Sequence, residues 1–501
     1  MASPLKRPKL FESGVFLVAV TTLVYAAAVV LSEKISVGDG FGFDGATYGD
    51  LARTFPAPLL DGSLNRYYIQ RVVPSALVHG TLRLLRVELT PAHIIHAFEG
   101  WAIALVCAAA SIWIALARRL GIGTRARWFG AVALFGSYAS LKWTAYYPVL
   151  TDLWSVVVAL LQLLLFLDRR LVLLALVTLV GAFTWPSSAA IGAVLIVFLP
   201  LPAADPAVPA RPLGRLRFLP AGIAAVAWTS LCVSILSSGY AIHGANVESI
   251  CRPLLRLSLL ASAAFVFGAV SVLVDERALF RPRGLARYLL RPNLLVAAAV
   301  MVGATVLQKR LAPEPSRYPV SELVRLTAYT SIQKPAAFLV AHVMFLGPVL
   351  LVLVMRWRAV VDLVRRSGPG LVCVAGLGAI VFLNSESRHL WNLAAMFVPF
   401  AVKLLDDLSW TRRQFLWLGA LTLASSNVWL TYEDPIWPEA LQLPGQLFFM
   451  TNGPWMTFPT YAVQLAIVVV FGFWLARQLW PTNRPTPSPG SPRTVVNATA
   501  R

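Results

Sequence analysis

The sequence predicts an all-α, polytopic transmembrane helical bundle of about 11–14 spans, with a large first extracytoplasmic loop that contains interfacial helices. Three observations predict it. The 501-residue chain is 58% hydrophobic and only 13% charged, about half the charged share of a soluble globular protein. The apolar residues cluster into runs such as Gly14–Leu31, Ser155–Leu167 and Ala462–Leu475 that hold almost no charge. The basic residues concentrate in alternate connections between those runs.

A helix needs about 20 mostly apolar residues to cross a ~30 Å hydrocarbon core, and backbone groups in lipid must bond internally. In chain order the runs that meet this pattern, or approach it, are 14–31, 93–117, 127–142, 151–167, 171–184, 186–202, 218–238, 253–274, 293–308, 336–355, 369–384, 389–405, 413–431 and 458–479. The pair 171–184 and 186–202 can equally be one broken helix. Met1–Leu10 is basic and precedes the first run, which reads as an uncleaved signal anchor.

The formal net charge is +20. In a soluble protein such a balance points to nucleic acid. Alternating the sides with the N-terminus inside places most of the 43 Lys and Arg on the inner side. Among them are Lys6, Arg7, Arg118, Arg119, Arg125, Arg127, Arg211, Arg215, Arg281, Arg287, Arg365, Arg366, Arg412 and Arg413. That is the positive-inside bias of a membrane protein, and it removes nucleic acid as the expected partner. The four cysteines, Cys107, Cys232, Cys251 and Cys373, show no paired spacing and read as small apolar side chains.

Residues 1–480 form the expected membrane domain, with 33–91 as its first outer loop, and 481–501, rich in Pro, Ser and Thr, form an expected disordered cytoplasmic tail. The Asn497-Ala-Thr499 sequon falls on that inner side and is discounted. Within the first loop, Tyr48, Leu51, Ala52 and Phe55 share one helical face, and Ile69, Val72, Val73 and Ala76 repeat the spacing. Both read as helices lying on the membrane with the apolar face down.

The residues that could carry chemistry stand at the outer ends of spans. Asp39, Asp44 and Asp50 follow the first span. Asp44 is suited either to N-cap the following helix or to act as general base on an acceptor hydroxyl. Arg66 and Arg71 sit among tyrosines, against the positive-inside trend, and either grip phosphate or snorkel to headgroups. Asp152 opens a span as a cap or as a site carboxylate. Arg388 and His389 open another; positive charge at a helix N-terminus is relieved by a bound anion or by pairing with Glu386. Lys334 and Arg325, in a later outer loop, are further cations that read as a solvated face. His93, His96 and Glu99 share a helical face without a fourth ligand and read as interfacial polar residues, so no metal is expected. There is no phosphate-binding Walker loop, dinucleotide fingerprint or zinc spacing, and no cofactor is expected.

These patches occur together in one known family. FDGATYGDLART followed by NRYYIQRVVPSALVHG resembles the first outer loop of bacterial GT-C-type membrane glycosyltransferases, with its "YDGQ-YY-IA" and "YR-QR-L-P" patterns. YYPVLTDLWSVVVALLQLLLF resembles their next element, and ESRHLWNLAAMFVPF resembles their late "ERY-LP-LPF" helix. Identity is confined to these patches, while topology agrees over the membrane region. The chain departs from the family pattern at Thr184-Trp-Pro-Ser-Ser188, where a charged pair is common, and at His389, where Tyr is usual.

The resemblance implies a mannosyltransferase-like enzyme of a bacterial inner membrane, with both termini cytoplasmic. It would move a sugar from a polyprenyl-phosphate sugar donor to a lipid or glycan acceptor of the envelope on the outer face. Asp44 maps to the base, and Arg388, with Arg66 or Arg71, to phosphate contacts. Asp50, Asp152 and His389 join them as substrate-binding candidates, and Asp44, Asp152 and Arg388 are expected to converge. A secondary transporter or flippase of a lipid-linked or anionic solute, or a non-catalytic relative, are the alternatives. A transporter would want its charges near the bilayer midplane, whereas these concentrate at span ends.

Overall fold

The computed structural model describes residues 12–200, 214–241, 250–274, 286, 288–316, 318–426 and 453–480. Expectations for the tail 481–501, most of the last outer loop, the end of the 413–431 run, and Lys6, Arg7, Arg211, Arg281 and Arg287 lie outside the described residues. The described residues form helices and no strands.

The longer helices follow the hydropathy pattern closely: α1 Gly14–Leu31, α2 Phe43–Thr54, α3 Val72–Leu84, α4 Pro91–Arg119, α5 Thr124–Phe135, α6 Asp152–Leu167, α7 Leu171–Gly181, α8 Pro186–Val197 and α9 Phe218–Ser237. They continue as α10 Leu255–Leu273, α11 Pro292–Leu311, α12 Val320–Ile332, α13 Ala337–Leu346, α14 Trp357–Ser367, α15 Pro369–Val381, α16 Arg388–Asp407, α17 Arg412–Ser425 and α18 Phe458–Leu479.

Among the described residues, six helical stretches are long and apolar enough to cross a membrane: Gly14–Leu31, Pro91–Arg119, Gly214–Ser237, Arg252–Leu273, Pro292–Leu311 and Phe458–Leu479. In five of them more than two thirds of the apolar window is not buried within the protein; only 11% is buried in Pro292–Leu311. In water such faces would be a large unfavourable exposure; in a bilayer they contact lipid tails. The chain is therefore a multi-pass helical membrane protein.

The centre of the bundle is built from α6 and α16, which pack against each other and are buried along most of their length. α4 packs on both α1 and α6, α5 on α16 and α17, and α13 on α18. Inside a bilayer, close packing and satisfied polar groups hold helices together. The α7–α8 pair shows both. It is an antiparallel hairpin, not one broken helix: Gly181 faces Ser188, and a Cβ on Gly192 would lie 2.0 Å from Thr178 Oγ1. Gln162 Nε2, from α6, donates to Ser188 O at 3.0 Å and Thr178 Oγ1 at 3.3 Å. Each arm rises only about 17 Å at 1.5 Å per residue, well short of a ~30 Å core. The hairpin tip, residues 182–185, therefore stops within the bundle.

Two expected single spans are divided. The 336–355 run breaks into α13 and the short helix Val349–Met355 at Gly347 (φ 93°) and Pro348, which has no N–H to continue the helix. The 127–142 run ends as α5 at Gly136 and resumes as a π-helical turn at Ala139–Trp143.

Candidate functional site

The segment between α1 and α4 folds back against the ends of α6, α8 and α16. Lys34 starts this return: its ammonium donates to Val29 O at 2.6 Å and Ala145 O at 2.9 Å, and pairs with Glu99 at 2.7 Å. Glu99 is thereby committed to Lys34 and to His96 (3.0 Å), while His93 Nδ1 meets Glu88 O at 2.9 Å. Among the described residues no group of His, Cys, Asp and Glu is arranged to hold a metal.

α2 begins at Phe43 because Gly42 adopts φ 78°, a conformation that favours glycine. The Gly45 N–H donates to Tyr147 Oη at 2.8 Å, docking the first turn on the segment that precedes α6. Asp44 therefore sits inside the first turn and makes no cap bond. Its Oδ2 accepts instead from Arg388 Nη1 at 2.8 Å.

Arg388 opens α16. Its Nε donates to Glu386 Oε1 at 2.5 Å, so two carboxylates hold the two edges of one guanidinium. The side chains of Arg388, Asp44 and Glu386 are 20%, 32% and 10% exposed. Of this group, Asp44 is the carboxylate most open to an incoming molecule. Positive charge at the α16 N-terminus is thus relieved by these two acids. Glu386 Oε2 also lies 3.6 Å from His389 Nδ1, and Asn384 Nδ2 stands 3.3 Å from the same nitrogen. Burial alone would raise the Glu386 carboxyl; the neighbouring His389 and Arg388 charges more than offset it and hold it below the usual range. Ser387 Oγ meets His342 Nδ1 at 2.9 Å, and His342 Nε2 meets Phe382 O at 2.9 Å, fixing the loop that carries Glu386.

Arg71, 4% exposed, completes the cationic side. Its guanidinium carbon lies 4.0 Å from the Tyr67 ring centre and 4.8 Å from that of Trp185, and Nη1 donates to Tyr67 O at 3.0 Å. Trp185 belongs to the α7–α8 tip, which Val73 N anchors through Phe183 O (3.0 Å) and Gln308 Nε2 through Ala182 O (2.9 Å). Asn392 Nδ2 donates to Ser187 Oγ at 2.9 Å, tying α16 to α8. Burial pushes the Tyr67 phenol up to about 12 and the Tyr48 phenol well above its ordinary value, so both stay neutral donors at neutral pH.

Asp152 is the first residue of α6 and does not cap it by a side-chain bond. It is 1% exposed, and among the described residues neither carboxylate oxygen has a hydrogen-bond partner. The charges acting on it are those of Arg388, Arg71 and Asp44. The cluster therefore unites Asp44, Arg71, Asp152, Arg388 and His389. Asp50 and Arg66 are not in it. Asp50 is 56% exposed and pairs with Arg53. Arg66 turns away to Pro313 O, at 3.1 Å. Arg325 lies on α12, and Lys334 donates to Met456 O at 2.7 Å. The sequence assigned no role of their own to Trp185, Tyr67, Gly42 and Gly45; the tyrosines beside Arg66 and Arg71 and an aromatic before Pro186 were the local signals.

Fold and site together define a multi-pass helical membrane protein that gathers acids and guanidinium groups at one end of its bundle. The chain matches no family model, no curated protein and no solved structure.

Proposed function

We propose that this protein is a GT-C-like glycosyltransferase that moves a sugar from a polyprenyl-phosphate donor to an envelope lipid or glycan acceptor at the extracytoplasmic face. In this reading the membrane is a bacterial inner membrane, the termini are cytoplasmic, and residues 33–91 form the first outer loop. One observation carries the reading: Asp44 and Arg388, far apart in the chain, meet at 2.8 Å with Arg71 and Asp152 beside them.

The chemistry balances without a nucleotide. The acceptor hydroxyl oxygen attacks the anomeric carbon while the bond from that carbon to the phosphate oxygen breaks. Asp44 takes the hydroxyl proton. The bond electrons leave with the polyprenyl phosphate, whose added negative charge Arg388 and Arg71 stabilise as it develops. Arg388 is neutralised by Asp44 and Glu386 at rest, so an arriving phosphate draws it from Asp44 and frees that carboxylate as a base.

The test is direct. Purified protein in proteoliposomes is given a polyprenyl-phosphate sugar and membrane-extracted acceptor, and product is followed by mass spectrometry. Asp44→Asn should reduce turnover by at least about a hundredfold, the size of a lost general base. Undiminished product from that variant, or solute counterflow without product, overturns the proposal.

A further inference from the structure

The ion pairs of the cluster leave Asp152 out. Arg388 has its two edges on Asp44 and Glu386, at 2.8 Å and 2.5 Å. Arg71 lies against the rings of Tyr67 and Trp185 and gives Nη1 to Tyr67 O. Neither guanidinium donates to Asp152, although both charges act on it, together with those of Asp44 and the Tyr147 phenol.

The rest of the fold supplies no other donor. Asp152 is 1% exposed, and among the described residues neither of its oxygens has a hydrogen-bond partner. It stands in the first turn of α6, where the helix dipole favours a negative charge, yet no N–H of that turn bonds to it. Thr151 Oγ1, one residue earlier, is also buried without a partner among the described residues. A carboxylate taken out of water keeps its charge only where donors replace the lost hydration; otherwise it takes up a proton and becomes neutral. The proton changes what the group can do. An ionised carboxylate only accepts hydrogen bonds, whereas the acid donates one. Beside two guanidiniums that bind an anion, this decides the sign of the contact: a carboxylate repels a phosphate and an acid binds it.

We propose that Asp152 is held as a neutral, protonated acid at neutral pH and donates its O–H to an oxygen of the phosphate that Arg388 and Arg71 bind. Asp44, which accepts from Arg388, and Asp152 thereby take opposite roles set by their surroundings. That the phosphate belongs to a polyprenyl donor rests on the sugar-transfer reading; the proton on Asp152 does not.

Infrared spectroscopy of the full chain, carrying aspartate labelled with carbon-13 at the side-chain carboxyl, and titration with polyprenyl phosphate test it. At neutral pH the wild-type protein should show a protonated-carboxyl band that moves with the label, and Asp152→Asn should lack it. Absence of that band from the wild type overturns the proposal even where a variant fails to fold, and its survival in Asp152→Asn overturns it as well. Asp152→Leu should weaken binding of polyprenyl phosphate about tenfold, the size of one hydrogen bond to a charged group. Asp152→Asn, whose amide N–H takes the place of the acid O–H, should restore most of that loss. Equal weakening in the two variants overturns the donor role. An ionised Asp152 gives the opposite sign, with both variants binding the phosphate more tightly, and that result overturns the proposal too. Neither measurement requires sugar transfer, so a protein that forms no product can pass both, and one that forms product can fail both.

Discussion

Asp44 and Arg388 form a 2.8 Å ion pair across 344 positions of sequence, joining the first turn of α2 to the first turn of α16. Arg388 also satisfies Glu386, so it is the hub of the pair and the acids are its periphery. Arg388→Ala leaves both carboxylates in a largely buried site without their main partner. The expected loss is about 1–3 kcal/mol, between the values for exposed and buried ion pairs. Asp44→Asn keeps an oxygen able to accept from Arg388 and should cost under about 1 kcal/mol. Thermal unfolding in detergent should therefore separate the variants: a marked fall for the first and a near-native melt for the second. Equal destabilisation would remove Arg388 from its central place.

Gly42 makes that pair possible. A Cβ there would lie 2.3 Å from Tyr147 Cε2, and the residue holds φ 78°. Gly42→Ala should destabilise the protein by about 1–3 kcal/mol through steric overlap and backbone strain together. It should also lower any Asp44-dependent activity, because α2 must back away from Tyr147. Adding Tyr147→Leu should recover part of the stability by clearing the overlap, though not the strain. A double variant no more stable than Gly42→Ala would show that the ring is not what the glycine accommodates.

Span positions were legible because hydropathy over about 20 residues depends little on local detail, and α1, α4 and α18 begin and end within two residues of expectation. The breaks were not, because the run through Gly347 and Pro348 stays apolar on both sides. Asp44 read as a cap candidate because a cap and a first-turn acid share the same residue preference. What separates them is the positive φ of Gly42, which starts α2 one residue before Asp44. Arg66 and Arg71 looked alike in sequence; only the return of the α7–α8 tip, with Trp185, distinguishes them.

That distinction is measurable. The Arg71 guanidinium lies against the rings of both Tyr67 and Trp185, a contact that the compact ammonium of lysine cannot reproduce. Arg71→Lys should raise the KM for an anionic donor about tenfold and leave the chain folded. Arg66→Ala and Asp50→Ala lie outside the cluster and should change KM and kcat less than about threefold, as surface changes of about 0.5 kcal/mol do. Steady-state kinetics with a polyprenyl-phosphate sugar checks all three. Equal effects at Arg66 and Arg71 would mean that both touch the donor.

Glu386 gives the cluster an acid limit. Its carboxyl is held below its ordinary 4.5 by the His389 and Arg388 charges. The folded state therefore binds its proton less readily than the unfolded chain does, and stability rises with pH across the interval between the two values. The contribution is complete above the ordinary value of 4.5 and fades as pH falls through the lower folded value. The melting temperature of the wild-type protein minus that of Glu386→Gln should accordingly shrink as pH falls below about 4.5. A difference that instead vanishes between about pH 5 and pH 7 would mean that the folded carboxyl is raised, with burial outweighing the two cations.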